Sequence, residues 1–335
     1  MHFIQFFALQ SSSQFLVFQK IKKFITMAVQ TQTKIPVVDF SDENLKPGTT
    51  SWLKVRNDVC RALEEYGCFA AELGNKFPLE LHEAIFGAAQ ELFDFPTETK
   101  EKVTSEKLFH GYVASPLRER MMIDNATSPE VIRKLTNIFW PNGNDHVRES
   151  ADAYVKKMTE LDEMVTRMVF ENYGAEKYYD SHLELTSRTL SLLRYKKHQK
   201  DGNNEGIKTH TDKHFTTILH QNRVRGLEVK TKDGEWIGFD PSPSSFLFLA
   251  GDALQVWSND RIEASLHRVM LVENEERYSL GTFAFHEGTI HVPEELVDEK
   301  HPLQYNPFNN HEYAKAQVAL IQKEISLKSF CGVNC

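Results

Sequence analysis

The chain has 335 residues, 41% of them hydrophobic and 26% charged, with a formal net charge of −8. This is the composition of a folded globular protein, long enough for one large domain or two modest ones, and it excludes a disordered polymer. There is no basic surplus to neutralise phosphates, so nucleic acid is not an expected partner, and no apolar run reaches the length of a membrane span.

The first 26 residues carry Lys20, Lys22 and Lys23, six phenylalanines and no acidic residue. A signal peptide would place its charges before the apolar run, whereas here they follow it. The segment reads as an upstream extension with Met27-Ala28 as the natural start; an organelle transit peptide is the alternative. Beyond Lys34, Ile35 to Phe40 opens as a short strand with Pro36 at its edge. A helix follows from Trp52, with Val55, Val59, Ala62, Leu63 and Tyr66 on one stripe and Gly67 as its stop. Cys68 to Leu73 is a strand. A second helix runs from Leu79 to Phe93 and ends before Pro96.

Residues 105 to 150 have no clean period and read as loops with short helical pieces. An amphipathic helix from Asp152 to Tyr173 buries Tyr154, Met158, Leu161, Val165 and Met168, and Gly174 closes it. After residue 185 the period changes to short β-branched and aromatic runs. These are Thr189 to Tyr195, Thr216 to His220, Leu227 to Lys230, Glu235 to Phe239, Ser245 to Leu249, Ala253 to Trp257, Leu266 to Val272 and Tyr278 to Phe285. Such a series, divided by turn residues, predicts a β-sandwich or jelly roll. A final helix covers His311 to Leu327. The four cysteines, Cys60, Cys68, Cys331 and Cys335, are too few for a disulfide framework in a chain this long and point to a reducing compartment, the cytoplasm.

The chemistry concentrates in His210-Thr211-Asp212 and His267. Alternate residues of a strand share a face, so His210 and Asp212 point the same way, and His267 comes from another strand. Two imidazoles and one carboxylate form the facial set that leaves three positions open on a non-haem Fe(II), and no thiolate is present to select zinc or copper(I). An isolated HxD triplet is common by chance and is usually a pair of surface residues. His214, four residues after His210, permits a helical pair, but HExxH is absent and His214 is not read as a ligand. Ten residues past His267, Arg277 and Ser279 again share a strand face. The Arg277 fork can grip a carboxylate bidentately, and Ser279 adds a hydroxyl. The ordered combination carries the reading, since each piece alone is unremarkable surface chemistry. Gly281, Phe283 and Phe285 continue that face and line either a cavity or the core; Phe139 and Trp140 are weaker candidates of the same kind.

With these motifs, the IPVVDF opening, ELFDFPTETKEK, HTDKHFTTIL, GLEVK, GDALQVWSNDR, HRVM and RYSLGTFAF, the chain resembles the plant Fe(II)/2-oxoglutarate-dependent dioxygenases over nearly everything after Lys34. Leu135 to Pro141 and the terminal SLKSFCGV make it most similar to the subgroup that modifies glucosinolate side chains. The resemblance implies an α+β fold with a double-stranded β-helix (jelly-roll) core at 181–290. An extension at 1–34 and an N-terminal mixed helical region at 35–180 precede this core, and a C-terminal helical segment at 291–335 follows. It implies His210, Asp212 and His267 on iron, and Arg277, Ser279 and Tyr195 on 2-oxoglutarate. Tyr195 stands in Leu193-Arg194-Tyr195-Lys196-Lys197-His198, where other members carry Asn-x-Tyr-Pro-Pro-Cys, so only the tyrosine carries over.

The activity implied is oxidation of a small plant specialised metabolite by dioxygen, by hydroxylation or desaturation, with 2-oxoglutarate converted to succinate and carbon dioxide and ascorbate in support. The enzyme is expected to be a monomer. Alternatives are a hormone oxidase acting on auxin or gibberellin, a non-catalytic jelly-roll binding module, and a zinc hydrolase built on the same three ligands.

Overall fold

The computed structural model describes residues 34–105, 107, 110–197, 204–319 and 325–333. The expectations for residues 1–33 and for Cys335 lie outside them. Strand β1 (Val37–Asp39) pairs parallel with β2 (Cys68–Glu72). Helix α1 (Thr50–Tyr66) connects them. It starts where the Thr49 hydroxyl accepts from Trp52 N and stops at Gly67 with φ +68°, a conformation that glycine adopts without a Cβ penalty. Helices α2 (Leu79–Asp94) and the short α3 (Thr97–Lys100) follow.

The stretch expected to be loops with short helical pieces contains a helix, α4 (Pro129–Phe139), and also a hairpin that was not expected, β3 (Gly111–Ala114) and β4 (Arg118–Ile123). Alternating arginines in β4 mask its period, because the face they occupy is not an exterior one. Helix α5 spans Asp145–Asn172 and so begins a full two turns before the expected Asp152. Its N-cap is Asn144, whose side chain accepts from Val147 N, and its first turns carry too few apolar residues to show a stripe. A short α6 (Tyr179–Glu184) precedes the barrel.

Strands β5 (Thr186–Tyr195), β6 (Glu205–His210), β7 (Thr216–Gln221), β8 (Leu227–Lys230), β9 (Trp236–Gly238) and β10 (Ser245–Ala250) come next. Helix α7 (Asp252–Trp257) then stands where a strand was expected. The cause is Gly251: a Cβ there would lie 2.0 Å from the His214 carbonyl oxygen, so the chain turns against the HTD loop. The first amides of α7 donate to that loop, Asp252 N to Asp212 O at 2.8 Å and Ala253 N to His214 O at 3.2 Å. Strands β11 (His267–Met270) and β12 (Arg277–His286) complete the barrel. A small pair, β13 (Thr289–Ile290) and β14 (Phe308–Asn309), and helices α8 (Asn310–Ala319) and α9 (Leu327–Cys331) end the chain. The single expected terminal helix is therefore two described pieces, with residues 320–324 outside the description.

The large sheet has eight strands in the order β1-β2-β10-β7-β12-β5-β4-β3, and the small one four in the order β6-β11-β8-β9. From β5 to β12 the chain passes repeatedly from one sheet to the other, which is the jelly-roll connection. One face of the large sheet (Leu190, Leu192, Ile218, Phe246, Phe248, Leu280) packs under α1, α2 and α5. The other (Leu193, Tyr195, Leu247, Leu249) packs on Leu227, Val229 and Val269 of the small sheet. Every second residue thus faces the barrel interior, and the site is built from that set. Ile35–Cys335 forms one compact unit.

Candidate metal centre

His210 is the last residue of β6 and His267 the first of β11, and the two are register partners. Pairing of the two strands brings their ring centroids to 4.2 Å. Asp212 lies beyond the end of β6, so it does not share a strand face with His210 as expected. It is aimed instead by two bonds: Thr217 Oγ1 donates to its Oδ2 at 2.7 Å, and its carbonyl accepts from Asp252 N. The three residues each present one ligand atom within 4.8 Å of the others, the one such group among the described residues. His210 Nε2 is 3.5 Å from Asp212 Oδ1 and His267 Nε2 is 3.9 Å from Oδ2.

Both rings are oriented through Nδ1, which lies 2.7 Å from Lys208 O in His210 and 3.0 Å from Ser265 O in His267. A backbone carbonyl accepts only from an N–H, so each Nδ1 donates and each Nε2 lone pair faces the centre, as a metal ligand requires. Burial would raise the Asp212 carboxyl, but His267 and His210 hold it well below its ordinary range. Burial lowers His210, and the bond and charge of Asp212 more than offset this; in His267 burial wins. His214 is not part of the group. Its ring packs against Phe283 and Phe285, with centroids at 4.6 and 4.1 Å.

The second cluster lies on the same interior face. Arg277 pairs with Tyr195, and Ser279 pairs with both Leu193 and Gln221. Arg277 is fully buried, its guanidinium 4.8 Å over the Tyr195 ring. Its Nε donates to Gln221 Oε1 at 3.0 Å, and Nη2 donates to the same oxygen. Arg277 Nη1 and Gln221 Nε2 are buried donors with no protein acceptor. Two orphan donors on side chains bonded to each other fit a carboxylate, whose oxygens can accept from both. Ser279 Oγ contacts His220 O at 3.4 Å. Gln221 and Thr217 were not singled out from the sequence; their signal was the alternation Thr217, Leu219, Gln221, which puts both on the interior face.

Phe283 and Phe285 are half-buried on that face. Phe139 and Trp140 are not: they pack with Phe95 in the helical layer, at 5.3 and 5.2 Å.

Residues 35–135 match the family model described as the N-terminal region of the non-haem dioxygenase in morphine synthesis, and residues 177–286 match the 2OG-Fe(II) oxygenase superfamily. "Probable 2-oxoglutarate-dependent dioxygenase AOP1" of Arabidopsis thaliana is 42% identical over 282 residues, 82% of this chain and 93% of that relative. The chain belongs to the Fe(II)- and 2-oxoglutarate-dependent dioxygenase family. Among solved structures, the dioxygenase for auxin oxidation in rice superposes with a TM-score of 0.75 at 27% identity, covering 90% of this chain and all of that one. JOX2, solved with 2OG, Fe and JA, superposes with a TM-score of 0.70 at 25% identity, covering 85% of each. This dioxygenase is therefore an oxidoreductase with the jelly-roll core, using Fe(II) and 2-oxoglutarate.

Proposed function

We propose that His210 and His267, through Nε2, and Asp212, through its carboxylate, hold the Fe(II), and that Arg277, Gln221, Ser279 and Tyr195 hold 2-oxoglutarate. Convergence of three ligand atoms within 4.8 Å on oriented side chains carries this reading. The donor set of two imidazoles and one carboxylate suits Fe(II) and leaves positions for a chelating co-substrate and dioxygen. Bound Fe(II) supplies the redox chemistry that couples dioxygen and 2-oxoglutarate to oxidation of a substrate C–H bond, with succinate and carbon dioxide as co-products. The protein's part is placement. Lys208 and Ser265 carbonyls fix the imidazole tautomers, and Thr217 fixes the carboxylate. Arg277, stacked on Tyr195 and braced by Gln221, offers Nη1 to the distal carboxylate of 2-oxoglutarate. Gly226 lies beside Arg277 and is held to glycine by the backbone: a Cβ there would lie 2.4 Å from the Met270 carbonyl oxygen. Phe283 and Phe285, with His214, wall the substrate side and exclude water.

The substrate we assign is a small plant specialised metabolite, on the likeness to AOP1. A second reading, oxidation of a hormone acid such as auxin, has the likeness to the rice auxin dioxygenase behind it. Succinate release with Fe(II) and ascorbate, compared between sulfinylalkyl glucosinolates and indole-3-acetate, separates the two. No helix among the described residues is long and apolar enough to cross a membrane. Cys60 and Cys68 are free buried thiols, which supports placing the enzyme in the cytoplasm; we assign it as a monomer. Release of succinate with neither substrate class would overturn the substrate assignment while leaving the metal centre standing.

A further inference from the structure

Strand β12 is buried along its length except at Phe283 and Phe285, which are half-buried although both face the barrel interior. Leu219 of β7, the register partner of Gly281, is half-buried on the same face. His210 at the end of β6 and His214 on the loop to β7 are half-buried too. Barrel interiors are close-packed, so inward side chains that still meet solvent mark a hollow. The hollow adjoins the metal centre: His214 follows Asp212 by two residues, and its ring packs on Phe283 and Phe285 with centroids at 4.6 and 4.1 Å. His210 is committed to the metal. Of the other four residues, only His214 carries a hydrogen-bonding group.

The backbone holds His214 in place. Its loop is pinned to α7 at successive residues: Asp252 N donates to Asp212 O at 2.8 Å, Lys213 Nζ donates to Asp252 Oδ2 at 2.8 Å, and Ala253 N donates to His214 O at 3.2 Å. On the other side, Phe215 N donates to Ala284 O of β12 at 2.9 Å. The ring is therefore positioned before any ligand arrives. Yet its hydrogen-bonding capacity is unused, since Nδ1 is buried and has no partner. The other imidazoles around Phe285 are engaged. His311 stacks on Phe285 at 6.0 Å with its Nε2 2.7 Å from Glu287 Oε2, and His110 Nε2 lies 3.3 Å from Thr189 Oγ1. A buried polar atom without a partner is costly. Packing alone does not account for it, because a leucine or phenylalanine would fill the space between two phenyl rings without that cost.

Resting on the oxygenase reading above, we infer that His214 is a specificity determinant: its imidazole hydrogen-bonds an uncharged oxygen group of the substrate, a hydroxyl or a carbonyl, while an apolar body lies along Phe283 and Phe285. A neutral imidazole has one donor and one acceptor nitrogen, so it serves either oxygen. The phenyl rings favour an uncharged group, because an ion would give up its hydration to sit against them. Such a site also rejects the analogue that lacks the oxygen, since the buried nitrogen then stays unpaired. With His214 two residues from Asp212, the oxygen it holds sets which C–H bond of the substrate stands at the metal.

The test is calorimetric titration of the full chain loaded with Fe(II) and saturating 2-oxoglutarate under argon, so that nothing turns over. The probes are two matched pairs: acetophenone with ethylbenzene, and indole-3-ethanol with 3-ethylindole. The oxygen-bearing member of at least one pair should bind about ten times more tightly than its hydrocarbon partner. His214→Phe, which keeps the aromatic packing, should abolish that preference. His214→Asn should keep part of it, because its amide stands at the same remove from Cβ as Nδ1. The affinities for Fe(II) and 2-oxoglutarate should stay within about twofold in both variants, since neither site uses the ring. The pair that shows the preference tells a carbonyl from a hydroxyl ligand. Equal binding within both pairs, no binding of either oxygen-bearing probe, or an undiminished preference in His214→Phe overturns the proposal. A loss of Fe(II) affinity in His214→Phe also overturns it, by making the ring a support of the metal loop. Should His214→Phe fail to fold, His214→Leu takes its place with the same expectation, and His214→Asn with the preference gone would count against the role. A wild-type chain that loads normally but shows no preference sinks this inference alone. If it fails to take up Fe(II) and 2-oxoglutarate at all, the site assignment itself has failed, and this proposal falls with it.

Discussion

Thr217 is the residue through which the metal centre is most easily probed without deleting a ligand. Its hydroxyl is the side-chain donor that aims Asp212, and removal of such a supporting bond weakens metal binding by roughly 10- to 100-fold. Thr217→Val should therefore lower Fe(II) affinity by that factor while secondary structure stays intact; unchanged affinity in an equilibrium chelator competition would refute the role. Arg277→Ala should raise the 2-oxoglutarate KM by roughly 10- to 100-fold, about 1.5–3 kcal/mol for a hydrogen bond to a charged group. Gln221→Leu should raise it less, because it removes a brace and one orphan donor. A KM shift for the prime substrate alone in these variants would contradict the assignment. The HTD run, His267 and the RxS pair were legible because their chemistry is rare in that order. Gln221 and Thr217 were not, because a polar residue ending an apolar strand carries no signal until register shows which face it occupies. Asp212 was read as a ligand on a mistaken geometry: the turn beyond β6 aims it, and strand alternation does not.

Among the elements, α7 shows how a five-residue, mostly apolar run misleads. Ala253 to Trp257 has strand composition, and only the close approach of Gly251 to the HTD loop turns it into a helix. Gly251→Ala should force the loop and α7 apart, at about 1–3 kcal/mol for an overpacked contact. Fe(II) affinity should fall along with the Tm. A variant with a lowered Tm but wild-type Fe(II) affinity would show that α7 does not hold the loop. The β3–β4 hairpin escaped notice for the opposite reason: two residues of β4 on the inward face, Arg118 and Arg120, are charged, so alternation of polarity there ran against the usual sense.

The α6 element also carries a titration. Burial, then His286 and Arg188, push His182 down to about 3. The folded group stays neutral while the unfolded one, near 6.5, takes up a proton. Between about pH 6.5 and 3 the unfolded chain therefore binds the extra proton, and stability falls as pH drops through that window. The slope from this group is at most about 1.4 kcal/mol per pH unit. Urea titrations at pH 7 and pH 5 should show the loss, and His182→Leu should make it smaller; an identical loss in the variant would remove His182 from the account.

On the scale of the whole molecule, one sheet joins the regions the sequence divides at residue 180. β1 to β4 come from the N-terminal side, yet they flank β10 and β5 in the same eight-stranded sheet. We therefore propose that 35–180 and 181–290 are sequence regions of one cooperative unit. Tryptophan fluorescence and far-ultraviolet circular dichroism should report one coincident unfolding transition. Two separated transitions would restore independent domains. The jelly-roll core was legible in the sequence because its strands are short, regular and punctuated by turns. The shared sheet was not, because pairing between strands distant in the chain leaves no local trace.

The most direct measurement is anaerobic titration of the chain with Fe(II), followed by 2-oxoglutarate, read by metal stoichiometry and by the visible charge-transfer absorption of the chelated complex. One equivalent of Fe(II) should bind, 2-oxoglutarate should bring up the band, and His210→Ala, Asp212→Ala and His267→Ala should each lose both along with turnover. Full metal binding and an undiminished band in any one of the three variants would contradict the account.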